Sequence, residues 1–200
     1  MNIRYFTSCA LLLISLVGCN SKKSQENQTY LNDKFNIEKR LIDSSGVQIE
    51  NDNSLNNKIK DYLNDKFLTD EDKRVISERD RKFKFYEIDL NEDGKNEIFV
   101  NLTSPYFCGT GGCTILLLSN GLELITKFTV TNSPIFVEPT LKNGWKILSV
   151  YSNTEWKQLV YSDGKYPSNP SVLKKAPYDA PSGHAEMIFG ENEPSEFNEF

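Results

Sequence analysis

The sequence predicts an α+β fold: a mostly antiparallel β meander or sandwich with one or two N-terminal helices packed on it. Three observations carry this. Apolar residues recur at helical spacing between positions 55 and 67. Short runs rich in Val, Ile, Leu, Phe, Tyr and Thr then follow one another from position 83 to 162. Asp-Gly or Asn-Gly pairs separate several of those runs.

Leu55, Ile59, Tyr62, Leu63 and Phe67, with charged residues between them, place one apolar stripe on a helix and predict that this stripe is buried. Thr69-Asp70-Glu71-Asp72 reads as the start of a second, short helix running to about Arg79. Thr69 is the N-cap, and the acids stand at the positive end of the helix dipole. Strands are predicted over 83–90, 97–102, 114–119, 122–131, 135–140, 145–152 and 155–162. Asp93-Gly94, Asn120-Gly121, Asn143-Gly144 and Asp163-Gly164 punctuate them. Such pairs suit type I′ turns, in which both central residues take positive φ, and short connections make neighbours antiparallel.

These elements define a globular α+β domain over 51–171. Residues 172–200 predict a disordered, solvated acidic tail, because the prolines continue and the last fifteen residues hold five glutamates and no lysine or arginine. The 28 acidic and 23 basic residues, with no basic block, exclude nucleic acid as an expected partner. The single histidine, His184, falls in the tail, and neither a Gly-x-Ser-x-Gly elbow nor a His-Glu-x-x-His motif occurs, so no enzyme is expected.

Leu16-Val17-Gly18-Cys19 closes a short apolar stretch, 10–17, preceded by a basic start over residues 1–4. The stretch is far shorter than the ~20 residues a membrane-spanning helix needs. It resembles the lipobox of a bacterial lipoprotein signal. The resemblance implies that 1–18 is a removed signal peptide and that Cys19 becomes the acylated first residue. Two or more acyl chains there would hold the protein stably on the lipid bilayer. Asn20, where an Asp commonly retains such proteins in the inner membrane, implies the outer membrane, facing the periplasm. Residues 19–50 then comprise the lipidated N-terminus, a polar spacer over 21–29 that has too little apolar surface to fold, and a segment without a clear assignment.

Asp89, Asn91, Asp93 and Glu97 put side-chain oxygens at positions one, three, five and nine of a loop. Gly94 stands at the sharp turn, and Lys95 offers its backbone carbonyl at position seven. Alternating oxygen ligands on a tight loop suit Ca²⁺. An EF-hand would need an acid at position twelve, where Val100 stands. The nine-residue version resembles the loops of FG-GAP and related β-propeller repeats, which join two strands. It occurs once here, so a whole propeller is not expected. A structural Ca²⁺ is the expectation, and a plain Asp-Gly turn with solvated acids is the alternative.

In an exported chain Cys9 leaves with the signal and Cys19 carries lipid. Cys108 and Cys113 remain as an even pair in an oxidising compartment, which predicts a disulfide closing a glycine-rich loop between two strands. The spacing is not Cys-x-x-Cys, so a thioredoxin-like redox centre is not expected, and two thiolates without a nearby histidine make a poor zinc site. Tyr106, Phe107 and Thr110 are candidate recognition residues on this loop, the two aromatics being core residues in the alternative. Trp145, Trp156, Tyr161 and Tyr166 read as core more readily than as a ligand platform. Together with Asp-Leu-Asn-Glu-Asp-Gly-Lys-Asn-Glu, Tyr-Phe-Cys-Gly-Thr-Gly-Gly-Cys-Thr, Gly144-Trp145 and Asp163-Gly164-Lys165-Tyr166-Pro167-Ser168-Asn169-Pro170-Ser171, the region 86–171 resembles a family of small exported bacterial lipoproteins. Glu92 stands where that family usually has Gly, at a position that supplies no ligand. The resemblance implies location and fold class and adds no activity. The expected role is a non-enzymatic, calcium-stabilised binding module: an inhibitor, an immunity protein or an envelope accessory with a protein partner in the periplasm or envelope. A calcium-dependent cell-wall hydrolase and a passive structural lipoprotein are the alternatives.

Overall fold

The computed structural model describes residues 46–190 and 197–200, with side chains from Ser54 onward. The expected signal peptide 1–18, the acylated Cys19 and the spacer lie outside the described residues. The chain divides into two compact units, Met1–Asp52 and Asn53–Phe200. The first is described only through helical residues from Gly46, and the second carries the architecture below. Among the described residues no helix is long and apolar enough to cross a membrane.

The first helix, α1 (Gly46–Tyr62), runs directly into a π-helical turn over Leu63–Phe67. Its predicted stripe is the packed one: Ile59, Tyr62 and Leu63 are buried, and Leu55 and Phe67 pack against the same cluster from half-buried positions. The second helix, α2 (Asp70–Val75), starts where predicted. Thr69 N–H donates to Asp72 Oδ2 at 2.8 Å and Asp72 N–H donates to Thr69 Oγ1 at 3.1 Å, a reciprocal capping box. It stops short of the predicted Arg79. None of its residues is buried, and Ile76 leaves helical geometry at ψ 119° to enter the core. A single 3₁₀ turn, Glu78–Asp80, follows.

Among the described residues ten strands follow: β1 (Lys82–Ile88), β2 (Glu97–Leu102), β3 (Cys108–Gly109), β4 (Gly112–Leu118), β5 (Leu124–Thr131), β6 (Ile135–Lys142), β7 (Trp145–Ser152), β8 (Glu155–Leu159), β9 (Glu186–Ile188) and β10 (Asn198–Glu199). Every pairing is antiparallel, and the fold is the predicted α+β class with a β sandwich. The strands form two sheets rather than one meander. The first runs β10-β1-β2-β4, with β5 on the far side of β4; the second runs β8-β7-β6-β9. Cys113 is in register with both Cys108 and Thr131, and Leu118 with both Ile98 and Leu124. Since β4 has only two flanks, β3 extends the line of β2 on one flank and β5 occupies the other.

All six residues of β2 are buried. Side chains alternate between the two faces of a strand, so Ile98, Val100 and Leu102 join Ile59, Leu63 and Phe83 beneath the helix. Phe99 joins Phe128, Leu148 and Val150 between the sheets. β4 divides in the same way, with Leu116 and Leu118 under the helix and Ile115 and Leu117 between the sheets. The result is three layers: helix, first sheet and second sheet.

Asn143-Gly144 (φ 55° and 79°) and Asp163-Gly164 (φ 52° and 83°) take the predicted left-handed pairs. Asn120-Gly121 does not. There Leu122 carries the positive φ of 57°, Leu122 N–H donates to Ser119 O at 2.9 Å and Ser119 N–H to Glu123 O at 2.8 Å, making a three-residue loop. Between β7 and β8 a further left-handed pair, Asn153 (φ 50°) and Thr154 (φ 63°), puts a β-branched residue where glycine is favoured.

The expectation of a solvated tail over 172–200 is corrected for its described residues, 172–190 and 197–200. Ala176 N–H donates to Trp156 O at 2.7 Å along the edge of β8. Tyr178 meets Ser149 Oγ through its hydroxyl at 2.6 Å. β9 pairs with β6 and buries Ile188. β10 pairs with β1, and Phe200 is buried against Phe83, ring centroids 6.0 Å apart. Composition registered the prolines and acids, whereas apolar residues spaced among them supply the cover that bare sheet edges require.

Replacing Phe200 with alanine is expected to cost about 3 kcal/mol in chemical denaturation, the lower part of the range for a buried Phe. A solvated terminus would give less than about 0.5 kcal/mol. Thr154→Gly, which removes a side chain from a left-handed position, is expected to stabilise by about 1 kcal/mol. Calorimetry reads this as a melting-temperature rise of about 2–4 °C.

Candidate functional site

The two motif loops hang from opposite ends of β2. The acidic loop enters it at Glu97, and the disulfide hairpin leaves it after Leu102.

Side-chain oxygens of the acidic loop fold the loop itself. Asp89 accepts from the N–H groups of Asn91 at 3.3 Å and Gly94 at 2.9 Å. Asn91 Oδ1 accepts from Asp93 N–H at 3.1 Å, and Asp93 Oδ1 from Lys95 N–H at 2.8 Å. Desolvation pushes the Asp89 carboxyl up, but backbone N–H groups, Gly94 foremost, outweigh it and hold Asp89 below its ordinary range. Glu97 differs: it is buried, at 4 % exposure, and its Oε2 accepts from Leu90 N–H at 2.9 Å. Burial first, and then repulsion from Asp93 and Asp89, push it above the ordinary glutamate range.

This loop is fixed to the second sheet. Leu90 O accepts from Lys146 N–H at 2.7 Å, and Tyr166 donates its hydroxyl to Lys146 O at 2.6 Å. Trp145 and Tyr161 stack at 4.1 Å with planes 11° apart, and Tyr166 sits edge-on to both. Tyr166 is fully buried, as the core reading requires, and Trp145 and Tyr161 pack against the inter-sheet core. Trp156 instead packs edge-on against Phe136 and the exposed Tyr151. Burial, helped by the Glu97 charge, raises both Tyr161 and Tyr166.

Among the described residues, no three His, Cys, Asp or Glu side chains gather as a ready ligand set. The acids of the loop are near enough to repel Glu97 without converging on one point. Asp89, Asn91, Asp93 and Glu97 are oxygen donors with lone pairs beyond those engaged by N–H groups, so the donor chemistry fits a hard divalent cation.

At the other end of β2 the predicted disulfide between Cys108 and Cys113 is formed, across a directly opposed strand pair. The hairpin borders an open groove of about 580 Å³ shared with Thr129 and Val130 of β5. Phe107 is half-buried against the helix-side core, 6.2 Å from Phe67. Tyr106 is 46 % exposed, packs edge-on against Phe107 at 5.1 Å, and donates a short hydrogen bond to Asp72. Hydroxyls of Thr69 and Tyr106 hold the Asp72 carboxyl low, and Asp72 in turn raises Tyr106. Thr110 is exposed at the hairpin tip.

Sequence reasoning missed two residues here. Asp72 was legible as a helix-cap acid, but its bond to Tyr106 joins segments with no shared pattern. Val130 takes φ 55° at a register shift between β4 and β5, an outlying conformation for a β-branched residue. A Cβ on Gly111 would stand 2.5 Å from Val130 Cγ1. Gly112, at φ 126°, lies against the Thr131 backbone, 2.6 Å from where a Cβ would be. Those contacts give the glycine-rich motif its physical reason. His184 is exposed, and its backbone N–H donates to Ser182 Oγ at 3.2 Å.

Compared with known proteins, the chain matches no family model, no curated protein and no solved structure.

Gly112→Ala is expected to cost at least about 2 kcal/mol, because it combines left-handed strain with overlap on backbone. Gly109→Ala, which meets open space, is expected to change denaturation midpoints little. A carboxyl whose folded pKa lies above its unfolded value loses stability as pH rises from the unfolded to the folded value. Without divalent cations, Glu97→Gln is therefore expected to be more stable than the parent at neutral pH. The gap closes as pH falls from the raised folded value to the ordinary glutamate value, a trend that denaturation at stepped pH values measures.

Proposed function

We propose that the chain is an exported lipoprotein, held on the cell envelope through acylated Cys19 and facing the periplasm from the outer membrane. Its folded domain is a non-enzymatic binding module stabilised by Ca²⁺. The role is that of an inhibitor, an immunity protein or an envelope accessory. The observation that supports binding is the hairpin over Tyr106–Thr114: a disulfide, a strained Val130 and an exposed, anchored Tyr106 border one groove. Backbone strain concentrates where a rigid surface is used. A tyrosine held in place offers contact area with little ordering entropy left to lose.

The acidic loop supports the calcium part. Asp89, Asn91, Asp93 and Glu97, with the carbonyl of Lys95, would hold the ion, whose charge would offset the repulsion on Glu97. Extracellular modules bind Ca²⁺ at about 10⁻⁴–10⁻³ M. At ten times the dissociation constant, binding contributes about 1.4 kcal/mol. A Ca²⁺-dependent rise in melting temperature is expected in the parent and absent in Glu97→Gln; equal rises in both would remove the ion from this loop.

Mass spectrometry of envelope-extracted protein is expected to find a lipid-modified Cys19. Capture of envelope proteins on the full chain is expected to yield a partner lost at least tenfold in Tyr106→Ala and kept in Tyr151→Ala, whose exposed aromatic lies on the second sheet. Equal capture by both variants would move the recognition surface away from the hairpin.

A further inference from the structure

The hairpin's three unusual features meet at one residue. Cys113 carries the disulfide to Cys108 and opposes Thr131, and the register shift that follows it accommodates the left-handed Val130. β3 is only two residues long, and the disulfide adds a covalent cross-link to a short ladder that the bond from Thr114 N–H to Phe107 O at 2.8 Å extends. Both half-buried cysteines line the open groove beside Val130, which gives an incoming thiol a route to them.

We propose that the Cys108–Cys113 bond is a reversible thiol-exchange site that sets the shape of the groove, rather than a permanent staple. The proposal rests on the groove being the recognition surface. A dithiol donor supplies a thiolate that attacks one sulfur of the bond. A mixed disulfide forms, and the other cysteine leaves as a thiolate. The donor's second thiolate then attacks the mixed disulfide and releases the first cysteine. Two electrons have passed, the donor departs as a disulfide, and both cysteines take up protons. Once open, β3 loses its covalent cross-link to β4, Val130 leaves the left-handed region, and the groove wall formed by Thr110 and Gly111 separates from β5. Relief of strain at Val130 drives the reduced form, so the backbone conformation of β5 tunes how easily the bond opens.

The test uses the full chain equilibrated in graded dithiol–disulfide redox buffers. Thiol alkylation with mass spectrometry gives the oxidised fraction, and hydrogen exchange gives local opening. Reduction is expected to raise exchange over 104–114 and 128–131 while β6, β7 and β8 stay protected. Val130→Asn, which tolerates left-handed backbone, is expected to shift the equilibrium about tenfold toward the disulfide. Val130→Gly serves if that variant does not fold. Thr154→Gly, which relieves a similar strain far from the hairpin in sequence, is expected to leave the equilibrium unchanged. An unchanged equilibrium in the Val130 variants, or exchange rising across both sheets, would overturn the proposal. Partner capture by the oxidised chain, compared with Tyr106→Ala, tests the recognition surface separately: its failure removes the groove's role, while the redox equilibrium stands or falls on its own readout.

Discussion

The constraint on which this structure depends is that β2 and β4 are buried on both faces. A strand with Ile98, Val100 and Leu102 on one side and Phe99 on the other cannot leave either side in water. One face recruits the helix stripe of Ile59 and Leu63, and the other recruits a second sheet through Phe128, Leu148 and Val150. The three layers follow from that double burial, and so does the rigidity of the strand that carries both motif loops. The acidic loop and the disulfide hairpin are held at the two ends of a core element, not on mobile connections.

Much of this was legible in the chain. Periodicity found the packed stripe of α1 and its π-helical continuation, Leu55 to Phe67, the Thr69 cap and the core of seven strands, because these depend on residues close in sequence. Asn143-Gly144 and Asp163-Gly164 gave true two-residue turns. The same dipeptide at Asn120-Gly121 gave a longer loop, since the pairing of Leu118 with Leu124 leaves room for an extra residue and Leu122 takes the left-handed place. A sandwich was legible as a possibility, but which strands belong to which of its two sheets was not. That assignment is decided by which faces meet, and local alternation reports only that a face is buried.

The terminal segment shows how composition misleads. Counting prolines and glutamates treats residues 172–200 as an average, whereas the described residues among them enter the fold one at a time. Ala176 and Tyr178 lie on the second sheet, Ile188 completes its core beside β6, and Phe200 fills the space next to Phe83. Prolines suit this duty, because a segment covering an edge needs extended backbone and few ladder donors. At the candidate sites the pattern is similar. Asp89, Asn91, Asp93 and Glu97 were legible as a chemical set, and Cys108 with Cys113 as a pair. The strain at Val130 and the bond from Tyr106 to Asp72 were not, because each is imposed by a neighbour distant in the chain.

The two ends of β2 hold different kinds of unfavourable energy. At Glu97 it is electrostatic: a carboxylate taken from water and set beside Asp93 and Asp89. At Val130 it is conformational: a β-branched residue in a left-handed well, filling the space a Cβ on Gly111 would need. Neither can relax locally. Moving Glu97 would give up the bond to Leu90 and disturb the contact of that loop with β7, and moving Val130 would shift the register of β5 against β4. A fold whose centre is fixed by double burial can hold both loads in place. Each load marks a position where the proposed outside agent, a cation at one end and a thiol at the other, would have free energy to release.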